Sequence, residues 1–166
     1  PVYDLKIYNG GELFYQLQTT QTDIKVPLDG IGKSSRLTVE LTVGSHTNSW
    51  TLYVFAEKAA NSTATVIGSR EQLTDLIKTG GRAILTADCM KNPIAGSFIP
   101  VFWSPVHFPS QKPCGAIIDH THPIFADFPT EKYIDYQWKE LLDHSIGMDI
   151  SPFGESFQPI VETVPN

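Results

Sequence analysis

Two histidines and an aspartate lie close together in the second half of the chain and could bind a metal ion. Asp119, His120 and His122 follow an apolar segment, and carboxylate and imidazole groups are ligands of zinc and of other divalent ions. No fourth ligand occurs at a spacing typical of zinc motifs. We therefore interpret these residues as a polar turn before Pro123 and keep them only as weak candidate ligands. No metal and no cofactor is expected.

Cys89 is the candidate nucleophile of the sequence. It follows a predicted strand over 83–86, at the place where α/β enzymes carry a nucleophile on a strand-to-helix turn. Such a turn needs small residues on both sides, whereas Asp88 and Met90 flank this cysteine. A small buried cysteine is the simpler interpretation. A hydrolase of the amidotransferase type that uses Cys89 is kept as a second alternative function.

Aromatic side chains are concentrated between residues 98 and 138 and could stack on sugar rings. Core packing explains the same residues, because a proline-rich loop needs large side chains to anchor it. A carbohydrate-binding module is therefore kept as the first alternative function. Its candidate residues are Trp103, Phe108, Tyr136 and Trp138.

Composition and charge exclude several classes of protein. The 166 residues are 41% hydrophobic and 18% charged, which is typical of a globular chain that buries a core. Twelve Lys and Arg against 18 Asp and Glu give a net charge of -6, and this balance opposes binding to nucleic acid. No apolar run approaches the roughly 20 residues of a membrane-spanning helix.

Hydrophobic periodicity predicts strands at the start of the chain. Apolar residues alternate with polar ones over 5–7, 13–17 and 37–43, which is the pattern of strands with one buried face. Gly10-Gly11 and Pro27–Gly30 are turn signals. Residues 1–47 are therefore predicted to form a segment of an antiparallel β-sandwich, whose core other residues must complete.

The pattern changes to an α/β type after Gly44. Trp50–Phe55 is a nearly continuous apolar run, which is typical of a strand covered on both faces. Ser69–Gln72 is a capping box, and Gly80-Gly81 should end the helix that begins there. With the strand Ala83–Thr86, these segments predict a parallel strand–helix–strand unit.

Further elements complete the predicted fold class, which is α/β. Gly115–Ile118 is a third strand, a helix should run from Thr130 to near His144, and Phe157–Val164 is a last strand. Residues 48–166 are thus predicted to be an α/β domain. The chain begins at Pro1 without an initiator Met and stops after this strand, and we expect it to be part of a longer polypeptide, truncated at the C-terminus of the domain.

Several motifs carry a resemblance to a known family. In Leu37–Phe55 one strand leads through Asn48-Ser-Trp50 into another. The later motifs are Pro100-Val-Phe-Trp-Ser-Pro105, Cys114-Gly-Ala-Ile-Ile-Asp119, His122-Pro123, Phe128-Pro-Thr-Glu131 and Gln137-Trp138. In this order they resemble the C-terminal region of bacterial family-two glycoside hydrolases, the β-galactosidase-like enzymes.

The resemblance implies an accessory region rather than an active site. It implies the end of an immunoglobulin-like sandwich, followed by a three-layer sheet of the flavodoxin-like or class I glutamine-amidotransferase-like type. The catalytic glutamates of that family lie in an upstream barrel, and no residue here corresponds to them. We therefore predict a non-catalytic C-terminal domain of a retaining β-glycosidase that acts in carbohydrate degradation. The rest of the parent chain, an oligosaccharide and an oligomer are the expected partners, and the resemblance implies a periplasmic or secreted location.

Overall fold

The computed structural model describes residues 1–57, 63–86, 93–100, 106–107, 113–151 and 154–164, and these residues are mostly β. Two compact units divide the chain. The first consists of Pro1–Lys58 with Thr121–Thr130, and the second of Ala59–His120 with Glu131–Asn166. Within the described ranges, no helix combines the length and the apolar character that crossing a membrane requires.

The first unit contains a four-stranded antiparallel sheet. Its strands are β1 (Tyr3–Asn9), β2 (Glu12–Thr19), β3 (Ser35–Val43) and β4 (His46–Val54), in the order β2-β1-β3-β4. Gly10 and Gly11 form the β1–β2 turn with φ of 60° and 87°, a conformation that residues with a Cβ rarely adopt. The alternation predicted β1, β2 and β3, and the structure confirms them.

One face of this sheet is apolar. Leu5 and Ile7 of β1 and Leu37 of β3 are buried. Because cross-strand partners share a face, the pairing of Ile7 with Val39 and of Leu5 with Leu41 extends the apolar surface over β3. Beside the sheet in the same unit, a short 3₁₀ helix spans Pro123–Phe125, and the Phe128 ring stacks on Phe55 with ring centroids 5.4 Å apart.

The prediction that Trp50–Phe55 opens a parallel sheet is wrong. Most of this run lies in β4, at the edge of the antiparallel sheet and paired with β3. Trp50 and Leu52 are 50% and 43% exposed, so the strand is not covered on both faces. The two-residue turn at Gly44, with φ of 60°, folds the chain straight back on β3 and so decides the pairing.

In the part of the chain that the structure describes, the second unit contains short strands and two α-helices. They are β5 (Thr65–Ile67), α1 (Arg70–Lys78), β6 (Ala83–Leu85), β7 (Ile94–Ala95), β8 (Gly115–Ile118), α2 (Lys139–Asp143), β9 (Ile146–Gly147) and β10 (Val161–Val164). A 3₁₀ helix, Tyr136–Trp138, leads into α2. The strands form three two-stranded sheets. β5 and β6 are parallel, whereas β7 pairs with β9, and β8 with β10, in antiparallel fashion.

The predicted three-layer α/β fold, whether flavodoxin-like or class I glutamine-amidotransferase-like, is therefore wrong. Parallel strands need a crossover connection between them, and among the described residues only α1 provides one, between β5 and β6. The helix and the second strand of the predicted unit, α1 and β6, are confirmed, but the first strand is β5 and not Trp50–Phe55. Ser69 caps α1 by accepting a hydrogen bond from the Gln72 amide at 3.2 Å, and Gly80 follows the helix with φ of 72°.

The helix predicted from Thr130 is also wrong over its first half. The Ile118 amide donates to the Lys132 carbonyl at 2.8 Å, and Ile117 and Tyr133 form a β-bridge. Residues 131–134 thus pair with β8 instead of forming a helical turn. Asp135 then caps the 3₁₀ helix, and α2 ends with His144 as its C-cap, where the sequence predicted the end.

Candidate functional site

An apolar cavity of about 480 Å³ lies beside β8 in the second unit. Side chains and backbone from four parts of that unit line it: Phe98, Ile99, Pro100, Cys114, Gly115, Ala116, Ile117, Tyr133, Ile134 and Val164. Ligand sites in proteins commonly have volumes of about 300–1,000 Å³ and mostly apolar walls. The cavity is therefore the first candidate for a binding site among the described residues.

β8 forms the wall of the cavity and uses its backbone groups within the sheet. The Cys114 amide donates to the Val164 carbonyl, and the Ile118 amide donates to the Lys132 carbonyl, both at 2.8 Å. β8 therefore has a hydrogen-bonded neighbour on each side. Ala116 and Ile118 are buried, whereas Ile117 between them is 40% exposed. This alternation places Ile117 on the accessible face of the strand.

Exposed aromatic residues lie at and beside the cavity. Tyr133 lines it and is exposed, and the Lys132 Nζ lies 5.7 Å from the centroid of its ring. Tyr136 is 75% exposed, and its ring centroid lies 5.6 Å from that of Phe98, another lining residue. Two aromatic rings, Phe98 and Tyr133, thus line the cavity, and the exposed Tyr136 ring lies against Phe98.

A carboxylate on α2 fixes one wall of the cavity. The Phe98 amide donates to Asp143 Oδ1 at 2.9 Å, and Lys139 Nζ donates to Asp143 Oδ2 at 2.9 Å. The Phe98 amide, followed by the Lys139 ammonium, lowers the pKa of Asp143 from its ordinary value. The same carboxylate raises the pKa of Lys139. Asp143 is therefore ionised at neutral pH and holds the backbone of Phe98.

Of the four aromatic residues proposed for sugar binding, the structure describes two, and one of these is exposed and the other is buried. Tyr136 is exposed beside Phe98, as a stacking residue must be. Trp138 is only 6% exposed, so its ring belongs to the core and offers no face to a sugar. Trp103 and Phe108 lie outside the described residues, as does the candidate nucleophile Cys89.

One of the proposed metal ligands, His122, has a structural role. His122 is the N-cap of the 3₁₀ helix Pro123–Phe125, and its Nδ1 accepts a hydrogen bond from the Ile124 amide at 3.2 Å. The Asp119 amide donates to the Ile160 carbonyl at 2.9 Å, and the Asp119 and His120 side chains are exposed. In the part of the chain that the structure describes, no three His, Cys, Asp or Glu residues are grouped as metal ligands.

The sequence pattern did not identify most of the cavity residues. One signal was present, because Ala116, Ile117 and Ile118 are apolar in succession, and such a run is typical of a strand with neighbours on both faces. Nothing in the spacing connects this strand to Val164 or to Ile99. Only the pairing of β8 with β10 and the course of the chain before β8 bring these residues to one cavity.

Comparison with known proteins gives one family match. A family model described as a domain of unknown function, DUF8487, matches residues 64–166. The match covers more than half of the chain and includes all the described residues that line the cavity. No curated protein matches the chain.

Proposed function

The chain belongs to the domain-of-unknown-function family DUF8487, and we propose that it is a non-catalytic accessory region of a larger, carbohydrate-degrading β-glycosidase. In this role the four-stranded sheet packs against another β-sheet of the same polypeptide. The exposed apolar face at β4 supports the packing role. The motifs that resemble family-two glycoside hydrolases support the link to glycosidases.

Exposure on the apolar face changes sharply from β3 to β4. Leu37 of β3 is completely buried, whereas its cross-strand partner Leu52 is 43% exposed. Val39 is half-buried, whereas its partner Trp50 is 50% exposed. Within the first unit, the cover over the apolar face therefore ends between β3 and β4.

The opposite face of the sheet carries polar and charged side chains. Asp4 and Lys6 of β1 alternate with the buried residues of that strand, and Glu40 and Arg36 do the same on β3. An antiparallel sheet with one polar and one apolar face is typical of half a sandwich. Covering Trp50 and Leu52 would gain roughly 25 cal/mol for each Å² of apolar surface removed from water, which favours a second sheet as the partner.

The test uses the whole natural polypeptide that carries this sequence. Its hydrolysis of aryl β-glycosides and its melting temperature are measured for the wild type and for two lysine variants. Leu52→Lys places a charge on the apolar face. Leu13→Lys is the matched control, because Leu13 is 53% exposed on the other edge strand and pairs with Tyr8 on the polar face.

We expect the wild-type polypeptide to hydrolyse a β-glycoside. We also expect Leu52→Lys to lower the melting temperature by several degrees while Leu13→Lys leaves it unchanged. Absence of β-glycosidase activity in the wild type would overturn the glycosidase assignment. Equal melting temperatures of the two variants would overturn the packing role of the apolar face.

A second candidate function is carbohydrate binding, and the exposure of Tyr136 favours it. The accessible ring beside Phe98 offers a surface on which a sugar ring can stack. Calorimetric titration with galactosides and oligosaccharides tests this function. Binding that is lost in Tyr136→Ala but kept in Tyr8→Ala, a tyrosine of the first unit, would support it. No binding at millimolar sugar would refute it.

A further inference from the structure

We propose that the cavity beside β8 binds an uncharged aromatic molecule of two or three fused rings. This inference goes beyond the accessory role and does not depend on it. It rests on the volume of the cavity and on the chemistry of its lining, including its two aromatic rings.

The volume sets the size of the ligand. An apolar cavity of about 150 Å³ is enough to hold one benzene ring, and this cavity measures about 480 Å³. Two or three fused rings match that space. A single ring would leave much of the wall without contact, which forfeits dispersion energy.

The lining excludes charged ligands and sugars from the interior. Among the described lining residues, only the Cys114 thiol and the Tyr133 hydroxyl are polar side-chain groups, and none is an Asp, Glu, Lys, Arg or His. Backbone groups of β8 are used in pairing with Val164 and Lys132. Sugar hydroxyls or an ionic group would lose water there without gaining enough hydrogen bonds, which disfavours their binding. The ligand is therefore uncharged and apolar.

The lining also favours an aromatic ligand over an aliphatic one. Phe98 and Tyr133 provide two aromatic rings, and Cys114 provides a polarisable sulfur. Aromatic rings gain stabilisation from offset or edge contacts with other rings, and sulfur makes favourable contacts with ring edges. The accessible Ile117 side chain of β8 adds apolar surface to the lining.

Titration with N-phenyl-1-naphthylamine, an uncharged aromatic dye whose fluorescence rises in apolar surroundings, tests the proposal on the protein as it stands. We expect saturable binding at one site. Ile117→Gln should weaken binding at least tenfold, because it places an amide in the apolar wall. Ile84→Gln is the matched control, since Ile84 is an exposed strand isoleucine of the same unit that does not line the cavity.

Two further measurements keep the test decisive if Ile117→Gln does not fold, which circular dichroism would show. Tyr133→Ala preserves the backbone bridge to Ile117 and should also weaken dye binding. In the wild type, the dye should slow alkylation of Cys114 by N-ethylmaleimide, as measured on the Cys114 peptide by mass spectrometry. Absence of saturable binding, equal affinity in the Tyr133 variant, or unchanged alkylation of Cys114 would overturn the proposal and leave the accessory role untouched.

Discussion

Gly96 lies so close to the end of α2 that a side chain does not fit. Its amide donates to the Ser145 carbonyl at 2.9 Å, and a Cβ at this position would overlap the Leu142 carbonyl oxygen and the Ser145 hydroxyl. Gly96→Ala forces the backbone to shift. We expect it to lower the free energy of unfolding by about 1–3 kcal/mol, as measured by urea denaturation.

Gly68→Ala is the control for this substitution. No atom outside the neighbouring residues lies within 4 Å of a Cβ built at Gly68, so this variant should change the free energy of unfolding by no more than about 0.5 kcal/mol. If both variants unfold at the same urea concentration, the close contact of residue 96 with α2 does not exist in solution.

At the scale of elements, α2 holds the segment before β8 through Asp143. Hydrogen bonds from the Phe98 amide and from Lys139 keep the pKa of folded Asp143 below its ordinary value of 3.8. Because the ionised form is favoured by folding, this contribution is complete above the unfolded pKa and is lost as the pH falls through the lowered folded pKa. The same carboxylate raises the pKa of Lys139 in the folded protein. The stability that this charge adds is therefore present at neutral pH and is lost only as the pH rises through the raised pKa of Lys139.

Asp143→Asn should therefore lower stability at pH 7 and reduce its loss below pH 4. The amide still offers an oxygen to Phe98, but it neither titrates nor pairs with the Lys139 charge. The measurement is the free energy of unfolding between pH 7 and pH 2. Asp75→Asn is the control, because the Asp75 side chain is 81% exposed in a surface ion pair with Lys78. An acid dependence that the Asp143 variant shares with the wild type would contradict the assignment.

At the scale of the whole molecule, net charge opposes association between copies of the chain, whereas exposed apolar surface promotes it. The net charge is -6 at pH 7 and falls to zero near pH 5.2, where repulsion between copies disappears. Trp50 and Leu52 remain exposed on an edge strand, and such strands promote association. We expect sedimentation velocity to show larger species near pH 5.2 than at pH 8.

Leu52→Lys should suppress this association, whereas Leu13→Lys should not. Both substitutions change the net charge by the same amount. A difference in sedimentation between the two variants is therefore caused by the face of the sheet that is substituted and not by the charge. If the two variants sediment alike at pH 5.2, association does not proceed through the apolar face at β4.

Local patterns in the sequence determined the elements that depend on neighbouring residues. Alternation and the glycine turn predicted β1 and β2, because a strand with one buried face needs no more than that period. The capping residue Ser69 and the glycines after Lys78 predicted both ends of α1. Core packing, the other interpretation of the aromatic residues, is what the structure shows for Trp138, which is 6% exposed.

Only the tertiary structure decided how these elements pair. Residues 131–134 have a helical pattern, but their backbone bonds to β8 outweigh it. β10 joins β8 across more than 40 residues of chain, and that pairing brings Val164 into the cavity wall. A local pattern records which faces of an element are apolar. Many segments of the chain have similar apolar surfaces and compete to cover such a face. The fold of the whole chain decides which distant segment packs there.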